Sequence, residues 1–120
     1  MISSLLLRLS TVLLLCGLVF GITMGIRQDF TLAPAHAHLN LIGFVLMFLV
    51  GLYYRVVPAA GAGGLAKIQA GLHIIAAIVF PLGIALADLG GPPVLAIIGS
   101  LLVLTAMALF ASIVFRTAPT

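Results

Sequence analysis

The sequence predicts an all-α integral membrane protein, a bundle of four transmembrane helices, and three observations predict it. Hydrophobic residues make up 64% of the 120 and charged residues only 6%, a balance outside the range of soluble globular domains. The apolar residues fall in four runs, approximately 4–26, 34–57, 65–87 and 93–115. Each run is long enough, at about 1.5 Å per residue, to cross a hydrocarbon core. The intervening segments are short and rich in charge, Gly and Pro, so residues 1–120 read as a single transmembrane domain whose successive helices are antiparallel neighbours.

The first run is too long for the apolar part of a cleavable signal, and no small-x-small cleavage site follows it. Gly17, Gly21 and Gly25 recur at every fourth position, a ridge that lets another backbone or a flat cofactor approach closely. Cys16 is the only cysteine and reads as a small apolar residue, without an intrachain disulfide. The segment "RQDFTLAP" ends this run, and Pro34 opens the second at a helix start. Tyr53 and Tyr54, beside Arg55, are expected to be interfacial anchors at headgroup level. The third run carries His73 and Pro81, and the proline is expected to kink it and free a carbonyl near Ala77. After "DLGGPP" the fourth run is apolar to its end.

Charge sets direction and excludes a partner. Arg8, Arg55, Lys67 and Arg116 fall on one side, and only Arg27 falls on the other with Asp29 and Asp88, so both termini are expected in the cytoplasm. The net charge of +3 comes from single, scattered residues and makes no nucleic-acid footprint.

The chemistry lies in "PAHAHLNLIG", which places His36 and His38 near the outer face at the start of an inward-running helix. Ionisable side chains inside membranes are functional candidates by default. Two residues apart on a helix means a rotation of about 200°, so the two rings point to nearly opposite flanks and do not chelate one metal together. Uncharged imidazole suits haem iron, copper or zinc. No His-Glu-x-x-His, Cys-x-x-Cys or nucleophilic triad accompanies them. Counting from Arg55 and Lys67 puts His38 and His73 about 16 Å apart along the membrane normal, too far to share an iron. His73 is then a hydrogen-bonding partner, a lower cofactor contact or a ligand of a separate site. A partner for the His36–His38 pair has to come from another copy of the chain, with His36 of one copy and His38 of its neighbour entering one cleft from opposite sides.

The stretch "TLAPAHAHLNLIGFVLMFLVGLYYRVVP", followed by "LAKIQAGLHIIA", resembles the short four-helix bacterial membrane proteins classed as heme-copper oxidase subunit I-like, over about residues 25–86. The resemblance implies that the chain corresponds to one four-helix arc of subunit I, in the bacterial inner membrane, and that a homotrimer, favoured over a dimer, imitates one whole subunit. It further implies haem b bound through His36 and His38, whose His-x-His matches the family's motif by helix, depth and spacing. The family's His-Pro-Glu-x-Tyr and His-His motifs are missing, so a complete oxygen-reducing copper site is not expected.

The expected function is therefore a membrane cytochrome serving electron transfer, redox or small-gas binding. His36 and His38 are the axial ligands, Gly21 and Gly25 give the porphyrin room, Arg27 pairs with a propionate, and His73 lies below. The electron donor and acceptor are unspecified. Two alternatives stand beside it: a copper-binding or delivery protein using His36, His38 and Met24, and a structural membrane subunit without cofactor.

Overall fold

The computed structural model describes residues 1–120 and consists of helices and turns, without strands. Four helices are long and apolar enough to cross a membrane: span one, Ile2–Arg27; span two, Ala33–Val56; span three, Gly64–Asp88; span four, Val94–Thr117. At 24 to 26 residues each, they measure about 36–39 Å, which exceeds a hydrocarbon core of about 30 Å. Consecutive spans run in opposite directions, so both termini and the 57–63 connection lie at one end. The 28–32 and 89–93 turns lie at the other, here called the histidine end.

Two of the span ends share one device. The Gln28 amide donates to Gly25 O (3.4 Å) and the Asp29 amide to Met24 O (3.3 Å), with Gln28 left-handed at φ 52°. After span three the Gly90 amide donates to Ala87 O (3.0 Å) and the Gly91 amide to Leu86 O (2.9 Å), with Gly90 at φ 90°. Both are Schellman closures, which satisfy carbonyls that a helix end otherwise leaves open. In the first turn Asp29 Oδ1 accepts from the Thr31 amide (3.1 Å) and hydroxyl (2.6 Å). These bonds, the hydroxyl's first, hold the Asp29 carboxyl below its ordinary range. At the opposite end the chain leaves span two at Val57 and makes a short helix, Pro58–Gly61, before span three.

Span one packs on span two, span two on span three, and span three along span four, which is the most extensive contact; spans one and four do not form a packed pair. In lipid the hydrophobic effect does not drive helices together, so close backbone approach and interhelical hydrogen bonds carry the association. The span three–span four contact shows why small residues are needed. A Cβ added at Gly83 would overlap the Ala96 backbone nitrogen, and one added at Gly99 would lie 2.5 Å from Phe80 Cα.

The core is uneven along the membrane normal. Its buried cluster, including Leu6, Met47, Val50, Tyr54, Ala60 and Ile113, fills the terminal half and the middle. The histidine half is open on one side, where Phe20, Ala35, Leu39, Ala77, Pro81 and Ala85 of spans one to three line an apolar groove of about 290 Å³. Span three runs through Pro81 as one continuous helix, and both Pro81 and Ala77 face this groove.

Span two is not uniform. Residues Leu41–Leu46 form a π-helical turn between two α-helical halves. Such a turn carries one residue more than the α-helix allows and weakens the local carbonyl ladder, which side chains then complete. It lies one turn below His38.

Candidate functional site

Pro34, in the first turn of span two, leads His36, His38 and Asn40 into the bundle at the open half. His36 turns toward span one. The Cε1 edge of its ring rests over Gly21, where an added Cβ would lie 2.9 Å from Cε1 and 3.2 Å from Nε2. The Phe20 ring meets it edge-on, with centroids 5.7 Å apart. One turn on, the Asn40 amide lies against Gly17 so closely that a Cβ there would overlap Oδ1. Span one therefore receives a ring and an amide from span two in two consecutive glycine notches. His36 Nδ1 and Asn40 Oδ1 are the two buried side-chain polar atoms of the protein without a hydrogen-bond partner.

His38 turns the other way, against span three, with its ring edge-on to Phe80 at 5.0 Å. Its Nδ1 lies 2.7 Å from Pro34 O. A carbonyl only accepts, so Nδ1 carries the proton and Nε2 keeps the lone pair. That is the arrangement by which proteins orient a metal-binding imidazole, with one nitrogen donating to a backbone carbonyl and the other left free.

His73 is bound on both sides of its ring. Nε2 donates to Ile42 O in the π-turn (3.0 Å), and Nδ1 accepts from Gln69 Nε2 (3.5 Å). Gln69 Nε2 also reaches Ala106 O on span four (3.4 Å), and Gln69 Oε1 accepts from the Tyr54 hydroxyl (2.9 Å). Tyr54, Gln69, His73 and the Ile42 carbonyl thus make one buried polar chain joining spans two, three and four. Both ring nitrogens of His73 are hydrogen-bonded within the bundle.

Two expectations are corrected by this chain. The His73 ring reaches Ile42, which is four residues or about 6 Å past His38 along span two, so the 16 Å separation is too large. Arg55 and Lys67 do not mark one level, because the short helix Pro58–Gly61 intervenes before span three begins. Tyr54 is also no headgroup anchor: it is 3% exposed and bonded inside the bundle. Tyr53, part-buried, donates to Thr117 Oγ1 (3.0 Å), whose own proton goes to Ile113 O (2.7 Å).

Gly21 is filled by the His36 ring, whereas Gly25 has nothing within 4 Å of an added Cβ. Arg27 is exposed at the same end, beside a small pocket of about 110 Å³ that Met24 and Asp29 also line. Sequence reasoning missed Asn40, Gln69 and the π-turn. The amides had a legible signal, since each stands alone in an apolar run four residues from a histidine, and helical neighbours at that spacing share a face. The π-turn has no local signature.

The fold defines a membrane protein of four spans, with a paired-histidine segment at the mouth of its open half. Comparison with family models, with curated proteins and with solved structures finds no match. The chain by itself brings together no group of three or more His, Cys, Asp or Glu side chains able to hold a metal ion.

Proposed function

We propose that the protein is a b-type haem protein of the membrane, with the haem held between copies of the chain by His36 and His38. The observation that carries this reading is the opposed pair itself. His38 is locked by Pro34 O with Nε2 free, and His36 lies on the other flank of the same helix with no hydrogen bond to either nitrogen. Two such rings on one helix serve two sites, and each site needs a second ring from elsewhere.

The residues fit the group at its ligands and do not enclose it within one chain. The Gly21 notch is occupied by the His36 ring, and the one apolar groove of the histidine half, about 290 Å³, is at the bottom of the range for ligand pockets. A second copy has to close the site, and a trimer gives every His36 a neighbouring His38. When bound, the iron supplies a one-electron couple. The side chains here would supply the rest: His36 and His38 would hold the iron, the apolar surround would set its potential, Gly25 would leave an open face, and Arg27 would be the counter-charge to a propionate. In this reading the chain corresponds to the heme-copper oxidase subunit I-like proteins, sits in a bacterial inner membrane, and has its termini in the cytoplasm.

Reduced-minus-oxidised optical spectra of the purified protein test the reading. The expected result is a b-type signal that falls at least tenfold in His36→Ala and His38→Ala and persists in His73→Gln. A colourless preparation from haem-replete cells overturns it. Copper at one equivalent per chain without haem would point to the metal-delivery alternative. A structural subunit would show changed stability in these variants and no cofactor to lose.

A further inference from the structure

We propose that Asn40 is a positioning residue for His36: its side-chain oxygen accepts the Nδ1 proton of His36 and so leaves the lone pair on Nε2. The proposal rests on the reading of His36 as a ligand, but its central measurement needs no haem.

The observation is a pair of complementary orphans. His36 Nδ1 and Asn40 Oδ1 are the only buried side-chain polar atoms in the protein that lack a partner. Left so in a bundle surrounded by hydrocarbon, each carries an uncompensated desolvation penalty. They lie on one helix, four residues apart, hence on one face with Cβ atoms about 5–6 Å apart. One atom is able to donate and the other accepts only. Both groups are seated in adjacent notches of the same helix, His36 over Gly21 and Asn40 over Gly17. Rotation about the terminal torsion of an asparagine is soft, which lets the amide oxygen turn toward the histidine nitrogen.

His38 shows the same logic completed. Its Nδ1 proton is held by Pro34 O, four residues before it. His36 has the mirror arrangement, with the acceptor four residues after it. Span two would then present two imidazoles, both protonated at Nδ1 and both open at Nε2, on opposite flanks. Donation from the amide Nδ2 to Nδ1 would give the opposite tautomer. Oδ1 is the amide atom that is buried without a partner, and in the proposed pair it is the acceptor.

Nitrogen-15 NMR of the full chain in lipid bilayers, prepared without haem and with assigned histidine rings, reads the tautomer directly. The expected result is Nδ1–H for His36 in the unmodified protein, retained in Asn40→Asp, and shifted toward Nε2–H in Asn40→Leu and in Gly17→Ala, which displaces the amide. Nε2–H in the unmodified protein overturns the proposal, and so does an unchanged tautomer in Asn40→Leu. The first of these needs no variant to fold. In the haem-loaded protein, Asn40→Asp is expected to lower the midpoint potential with ligation unchanged. A colourless protein that shows the tautomer shift would sink the haem reading and leave Asn40 in its role; a haem protein without the shift would sink Asn40 alone.

Discussion

At the scale of single residues, the interior of this protein is decided by a few polar atoms. Tyr54 illustrates how position in the sequence misleads: next to Arg55 and near a span end, it has the context of a headgroup anchor, yet its hydroxyl is spent on Gln69 Oε1 inside the bundle. Tyr54→Phe removes that donor and strands the acceptor. The expected cost is about 1 kcal/mol, measurable by reversible unfolding in mixed micelles, whereas an anchoring tyrosine would tolerate the change. In the turn at the histidine end, Asp29 gives a pH signature. Its folded pKa lies below 3.8 because the Thr31 hydroxyl and amide bond the carboxylate. The turn is therefore fully stabilised above 3.8 and loses these bonds as pH falls through the lower folded value. The Thr31 amide resonance is expected to titrate below 3.8, and a midpoint at or above the ordinary value would remove Thr31 as the cause.

At the scale of elements, glycine and the π-turn do what side-chain hydrophobicity does not. The four spans were legible because hydrocarbon forces about 20 apolar residues into every crossing helix. Which glycines matter was not legible. The evenly spaced Gly17, Gly21 and Gly25 draw attention, and two of them receive side chains from span two, but the glycines that meet the backbone of a facing span are Gly83 and Gly99. Nothing local marks those two, since the reason lies on the facing helix. Gly83→Ala and Gly99→Ala are each expected to destabilise by about 1–3 kcal/mol through overpacking. Thermal unfolding reads this, and Gly71→Ala, with no atom near an added Cβ, is the control that does not lower the midpoint. Gly90, left-handed at φ 90° in its Schellman closure, is expected to cost about 1 kcal/mol as alanine, visible in the same measurement.

The π-turn belongs to this scale as well. His73 donates to Ile42 O within it, and the turn sits between the paired histidines and the packed core. His73→Leu takes the donor from that carbonyl and is expected to alter hydrogen exchange of the 41–47 amides while leaving span four unchanged. Equal exchange in the two proteins would show that the turn persists without the bond.

At the scale of the molecule, the two halves differ in how they are held. The terminal half packs Leu6, Tyr54, Ala60 and Ile113 into its core, beside a cavity of about 320 Å³ lined by Ile2, Tyr54, Arg55 and Gly61. The histidine half has the apolar groove among spans one to three, while large apolar side chains face outward along both halves, Ile22 at 62% and Phe115 at 92% exposure. Together with the paired histidines, which have no complete metal-binding set within one chain, this is why the proposed function requires an assembly. Light scattering in detergent is expected to give a mass of three chains. A monomer that still binds haem with both histidines intact would exclude a shared site.

What the sequence by itself determined was the solvent and the topology: a chain so apolar and so sparsely charged has to cross a membrane, and its breaks allow four crossings. It also singled out "HAH" and, from helical rotation alone, the divergence of its two rings. Only the tertiary structure decided which neighbours those rings meet, which glycines are notches and which are contacts, and that Tyr54, Gln69 and His73 form one buried chain. The physical reason is range. Burial in hydrocarbon and helical periodicity act on neighbouring residues and leave their record locally, whereas a hydrogen bond from His73 to Ile42 or a backbone contact at Gly83 joins residues far apart in the chain and exists only once the helices have met.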